Sequence, residues 1–187
     1  MLINNSLREI KRCGGVIALC GERKYVSFEE LLQIKPNGFF VYLEGIEDPF
    51  NFGQAIRAIY ASGADAILLP KRNWMSASAT VGRSSAGASE LIYASVIETE
   101  DIQTLKNYGF RIICADLAEN SVNYTKANLK KPLVLVIGGE KRGISSAIKD
   151  LADDIVEISY GREFNQSLGA SEAAGILAFE VLRQNLI

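Results

Sequence analysis

From Gly38 onward, short apolar runs alternate with helix-like stretches, and this alternation sharply limits what the chain can fold into. The strand-like runs are GFFVYL (38–43), DAILLP (65–70), ASVI (94–97), FRIICAD (110–116), PLVLVIGG (132–139) and DIVEIS (154–159). Helical patterns fill 51–62, part of 76–91, 101–108, 145–151 and 170–184. Strands rich in β-branched residues and separated by helical crossovers pair in parallel and need cover on both sides. The expected fold class is therefore α/β, with a mainly parallel sheet and helices on both faces. Upstream, residues 4–12 suggest a short helix, Gly14–Cys20 a strand, and Ser27 with Glu30 a capping box opening a helix through Leu32. Lys35-Pro36-Asn37-Gly38 then breaks the chain. Two regions follow: an N-terminal appendage, 1–35, and a main domain, 38–187.

Composition removes several kinds of chemistry. The chain has 187 residues and no histidine, so Ser-His-Asp and Cys-His catalysis and histidine-ligated metals are excluded. Cys13, Cys20 and Cys114 form no CxxC pair and sit in or beside apolar stretches, as buried thiols do in a reducing compartment. No segment approaches the roughly 20 apolar residues of a membrane span. The N-terminal MLINNSLREIKR carries charges where a signal peptide needs an apolar core. The expectation is a cytoplasmic protein with no metal and no membrane partner. A net charge of −2 gives no global basic field, which leaves only a local patch for nucleic acid.

Two segments carry candidate chemistry. In LEGIEDPFNFGQAIRAIYASG (43–63), Asp48 is a good helix N-cap and Pro49 suits the first helical position. Asn51 and Arg57 then fall on a helix that starts at the carboxyl end of a strand, where such folds place ligands. The residues alone leave open whether Asn51 is turn chemistry and Arg57 a solvated charge. The second segment, PLVLVIGGEKRGIS (132–145), is a strand, a glycine turn and a helix start. Glu140 occupies the position a G-x-G-x-x-G fingerprint needs for glycine, and Ile144 the position a P-loop needs for lysine. A phosphate-rich ligand is disfavoured at that turn.

With a third segment, SLGASEAAGILAFEVL (167–182), these stretches resemble the SpoU/TrmH family of SPOUT RNA methyltransferases. The N-x-G-x-x-x-R core matches Asn51, Gly53 and Arg57, the second motif carries Glu140 and Gly143, and SSAGASEL (84–91) matches a further family element. The resemblance implies a parallel α/β sheet with a C-terminal trefoil knot, a rare exception to chain-topology rules. It also implies a homodimer, with the active site near the subunit interface and S-adenosylmethionine bent into the knot. The cofactor contacts would fall on Gly138, Ile158 and Leu168, with Gly139 and Gly143 admitting close backbone approach. The implied reaction is methyl transfer to a ribose 2′-hydroxyl of tRNA or rRNA. Its catalytic set would be Arg57, Asn51, Glu140 and Ser167. Arg57 would clamp phosphate and stabilise the developing alkoxide, or accept the proton once substrate phosphate has altered its state. Asn51 would orient Arg57 or the ribose, and Glu140 would hold Arg57 or the partner subunit.

The chain departs from this pattern in two places. The third family motif typically reads Ser-Leu-Asn, whereas here it is Ser167-Leu168-Gly169. The loop before it, GREFNQ (161–166), is about one residue longer than usual, and Asn165 is the residue that could fill the gap. Residues 1–35 match only the last helix, strand and helix of the RNA-binding domain many relatives carry, or else the chain is a piece of something longer. These departures support an alternative function, a non-catalytic knotted dimer that binds RNA or S-adenosylmethionine. The candidate RNA patch is Lys71, Arg72, Arg83, Lys141 and Arg142, with Trp74 stacking on a base. The apolar excess of the last helix, which includes Ile176 and Phe179, is expected to bury against a second copy.

Overall fold

The computed structural model describes residues 23–186. The helix expected over 4–12, the strand over Gly14–Cys20, and Cys13 and Cys20 lie outside the described residues. The elements run α1 (Phe28–Ile34), β1 (Phe39–Glu44), α2 (Pro49–Ala61), β2 (Ala66–Leu69) and α3 (Ser78–Ser84), then a 3₁₀ turn (Ala88–Glu90). They continue with β3 (Tyr93–Val96), α4 (Thr99–Asn107), β4 (Arg111–Ala115), β5 (Val122–Asn123), β6 (Leu133–Gly138), α5 (Ser146–Lys149), β7 (Asp154–Glu157) and α6 (Ala170–Asn185). The strands form one 7-stranded sheet in the order β3-β2-β1-β6-β4-β7-β5, paired in parallel. The expected α/β architecture is thus present. Only β5 had no sequence signal, since so short a strand carries no periodicity.

The alternation of side chains along β1 builds two cores. Phe39, Val41 and Leu43 pack with α2, α3 and α6, and Phe40 and Tyr42 pack with α1, α4 and α5. The Ser27 hydroxyl accepts the Glu30 N–H at 3.2 Å, capping α1 as its sequence predicts. Although α1 precedes the Lys35–Gly38 break, its Leu31 is completely buried in the second core.

Register fixes where a ligand can sit. Glu44 aligns with Gly138, Ile137 with Ala115, and Ala115 with Val156. The carboxyl ends of β1, β6, β4 and β7 therefore share one edge of the sheet, the edge where open α/β folds bind ligands.

Candidate active site

The site begins in the loop between β1 and α2. The Asp48 carboxylate accepts the N–H groups of Phe50 and Asn51 at 2.9 and 2.8 Å, and Pro49 starts the helix, as expected. The loop is braced by the Trp74 indole N–H, which donates to Ile46 O at 2.7 Å. It is also joined to the glycine turn after β6, where Gly139 N–H donates to Glu44 O at 2.8 Å. A Cβ on Gly139 would lie 2.0 Å from Gly45 O, and one on Gly138 would lie 2.5 Å from Gly143 C. Gly143 has φ +62° and bridges back to Gly139. The close approach these glycines permit is therefore to the chain's own backbone, at contacts where no side chain fits.

Glu140 joins the three motifs. Its Oε1 accepts from Asn51 Nδ2 at 3.2 Å and from Ala170 N–H at 3.3 Å. Ala170 begins α6, so that N–H has no partner within its helix, and a carboxylate there is favoured by the helix dipole. One oxygen thus ties the start of α2 to the start of α6 across the turn after β6. The third motif leads into α6 through Leu168, whose N–H donates to Tyr160 Oη at 3.0 Å. Gly169 is the N-cap, with φ −62° and ψ 154°, angles any residue adopts, and it makes no side-chain cap. A Cβ there would meet only the Glu172 carboxylate, at 2.3 Å. Ser167 and Asn165 are exposed and have no side-chain hydrogen bond among the described residues. Ile158 and Leu168 are half-buried, and Ile158 packs on the first core.

Arg57 stands apart from this cluster. It is exposed, on the side of α2 that carries Phe50 and Gln54, and these residues form a groove of about 370 Å³ with Thr80, Arg83 and Ser84 of α3. Within one chain, Arg57 has neither Asn51 nor Glu140 as a hydrogen-bond partner among the described residues, so of the alternatives the resemblance implies, those in which Asn51 orients Arg57 and Glu140 holds it are not formed there. The reason is helical geometry: at 100° per residue, positions 51 and 57 point to different sides, whereas 50, 54 and 57 share one. That spacing was the available signal for Phe50 and Gln54, which the sequence reading missed. The joining of Thr80 and Ser84 to them had no local signal. Gly53 makes the groove possible, since a Cβ on it would lie 1.9 Å from Ser84 Oγ.

The expected basic patch is present in part. Lys141 pairs with Glu47 at 2.7 Å, and its ammonium, with Arg142 and Arg72 nearby, holds the Glu47 carboxyl below its usual range. Lys141, Arg142 and Arg72 therefore converge beside the β1–α2 loop. Lys71 is instead paired with Glu98 at 2.6 Å. Trp74 is half-buried against the first core with its N–H engaged, so it braces the loop. Burial pushes the Cys114 thiol and the Tyr42 phenol up to about 12, which keeps both protonated at neutral pH. No His/Cys/Asp/Glu group suited to a metal, and no helix long and apolar enough to cross a membrane, occurs among the described residues.

Comparison with known proteins gives this arrangement its family. A protein of Staphylococcus haemolyticus assigned to the TrmH family of tRNA/rRNA methyltransferases is 33% identical over 176 residues, covering 91% of this chain and 70% of that one. The AdoMet-bound rRNA methyltransferase of Sinorhizobium meliloti superposes with TM-score 0.78 at 29% identity, over 89% of this chain and 63% of that chain. An RNA 2′-O ribose methyltransferase superposes with TM-score 0.72 at 25% identity, over 92% of this chain and 63% of that chain. The chain therefore spans less than two thirds of the length of either solved structure. The profile of the SpoU rRNA Methylase family matches residues 38–179, from the start of β1 into α6, which takes in all the segments that meet at Glu140. On that match, and on a fold shared with its relatives, this chain belongs to the SpoU rRNA methylase family.

Proposed function

We propose that the protein transfers a methyl group from S-adenosylmethionine to a ribose 2′-hydroxyl of tRNA or rRNA in the cytoplasm, and that it works as a homodimer with a C-terminal trefoil knot. The observation that carries this reading is the Glu140 carboxylate, shared between Asn51 and the α6 N-terminus, which gathers the family motifs at the carboxyl edge of the sheet. The division into an appendage, 1–35, and a methyltransferase domain, 38–187, is part of the proposal, with α1 docked on the domain's sheet.

The residues present fit the cofactor. Gly138 ends β6 and Ile158 follows β7, strands that flank β4, so the two stand two strand spacings, or roughly 10 Å, apart on one edge. Together with Leu168 they supply apolar walls and backbone groups, suited to an adenosine and a methionine without phosphates. When bound, S-adenosylmethionine supplies an electrophilic methyl on a sulfonium. The chain must then hold the ribose hydroxyl in line and stabilise the oxygen as it loses its proton. Arg57 is assigned to the substrate phosphate and the developing alkoxide, acting as a planar two-point clamp. Asn51, fixed by Glu140, is assigned to the ribose, with Ser167 at the rim. Because Arg57 faces away from the Glu140 cluster, a second copy would supply the arginine to each site. The α6 stripe Glu172, Ile176, Phe179 and Arg183, exposed and apolar at its centre, supports such pairing.

The test is methyl transfer from radiolabelled cofactor to bulk RNA, followed by alkaline hydrolysis. Label retained in alkali-resistant dinucleotides is expected, because a methylated 2′-oxygen cannot attack the neighbouring phosphate. Label in single nucleotides would mean base methylation, and none at all would favour the second reading, a non-catalytic RNA- or cofactor-binding dimer. That second reading is favoured by one observation: Gly169 leaves α6 without a side-chain cap where the family pattern has asparagine.

A further inference from the structure

We infer that the groove between α2 and α3 is a subsite for the RNA nucleotide adjoining the target ribose, with Arg83 holding a phosphate beside Arg57 and Phe50 stacking on a base. This rests on the RNA methyltransferase reading and adds residues it does not use. Arg57 and Arg83 line the same groove of about 370 Å³ with Gln54, Thr80 and Ser84, and no carboxylate lines it. Arg83 Nε donates to Ala79 O at 3.2 Å, which holds the guanidinium at the groove and leaves its terminal nitrogens for a ligand. Two guanidiniums on one groove repel each other, and a phosphate bound between them would turn that repulsion into charge-assisted hydrogen bonds. Phe50 is 52% exposed although it sits in the first turn of a well-packed helix, and it lines the same groove. An aromatic face beside a basic groove is how proteins hold unpaired RNA bases. The pairing of α2 with α3 is built in, since Gly53 lies against Ser84 where any side chain would force the helices apart.

The probe is a short fluorescein-labelled oligouridylate, read by anisotropy over a salt series, with circular dichroism melting as the control for folding. Arg83→Ala is expected to weaken binding roughly tenfold and to flatten the slope of log K against log salt by about 0.7, the share of one phosphate contact on a single strand. Phe50→Ala is expected to weaken binding roughly tenfold with the salt slope unchanged, and Phe50→Trp to restore it. Wild-type affinity in both alanine variants, or no binding by the wild type, overturns the subsite. Displacement of the oligouridylate by polyglutamate at equal charge would assign the groove to an acidic protein and overturn it too. The methyl-transfer assay separates the two readings. Transfer by the wild type without this binding pattern sinks the subsite alone. The pattern without transfer sinks the catalytic reading, and with it the place beside a target ribose, while the groove remains an RNA-binding one.

Discussion

At the edge where the strands begin, carboxylates are saturated. Asp65 accepts the Phe39 N–H at 2.9 Å and pairs with Lys35 at 3.0 Å and Lys131 at 3.7 Å. Asp153 accepts the Ile112 N–H at 2.8 Å and pairs with Lys106 at 2.9 Å, and Arg111 binds Asp154. At the edge where the strands end, the backbone is equally ordered, but by glycine contacts, and Arg57, Ser167 and Asn165 have no side-chain partner among the described residues. The first edge engages its carboxylates with cations and N–H groups of the chain itself. The second holds its frame with glycine contacts and a few engaged donors, among them Trp74, Asn51 and Lys141, and leaves Arg57, Ser167 and Asn165 for a ligand. The difference shows how one sheet separates stability from function, and it can be tested one edge at a time.

The largest expected effect is at the open edge. Arg57→Ala should lower methyl transfer at least about a thousandfold, or about 4 kcal/mol, while the melting temperature stays at the wild-type value. Arg57→Lys should fail as well, because a point charge does not reproduce a planar fork. Near-normal turnover in either variant would remove Arg57 from the reaction. Next comes the saturated edge, where Asp65→Ala leaves the buried Phe39 N–H without its acceptor. A loss of about 2 kcal/mol in urea unfolding is expected, with unchanged turnover per folded molecule. Turnover that fell in parallel with stability would break the separation of the two edges.

A third test uses pH. Burial would raise the Asp153 carboxyl, but the Ile112 N–H and Lys106 outweigh it and hold it below its ordinary 3.8. A depressed folded value means that the carboxylate stabilises the fold above pH 3.8 and that the contribution disappears as pH falls through the folded value. Asp153→Asn should therefore flatten the fall of melting temperature with pH in that acid window, and an unchanged acid limb would contradict the assignment. The smallest effect is expected at Gly169. Asparagine fits the local φ and ψ once the Glu172 carboxylate swings away, and capping α6 should add a few tenths of a kcal/mol. Cofactor affinity measured by calorimetry should tighten by no more than roughly threefold to tenfold, the worth of one neutral hydrogen bond. Asn165→Ala should change nothing, and weaker binding in that variant would show that Asn165 does fill the gap.

Much of the fold was legible because its signals are local. The period of apolar residues gave the strands, Asp48 and Pro49 gave the start of α2, and Ser27 with Glu30 gave α1. Asn51 and Glu140 were legible as polar residues at the carboxyl ends of strands, and they do meet. Other features depend on contacts distant in sequence. Nothing near Gly139 reveals that Gly45 presses on it, nor does anything near Gly53 announce Ser84. The partners of Trp74 and Lys71 were not legible for a related reason. An aromatic and a lysine after a strand read as ligand contacts, and nothing near them announces Ile46 O and Glu98 as their partners within the chain. The divergence of Asn51 and Arg57 on α2 was readable from helical geometry, but the shared motif made them look like one unit.

The contact between Gly139 and the Glu44–Gly45 backbone also bears on motion. A loop amide locked to a neighbouring loop at 2.8 Å, with no room for a side chain, should exchange its hydrogen as slowly as one inside a strand. The two loops then open together or not at all, with no hinge between them. Tyr160–Leu168 is by contrast a largely exposed span whose ends are joined by one hydrogen bond, from Leu168 N–H to Tyr160 Oη, so its amides should exchange faster than those of the two locked loops.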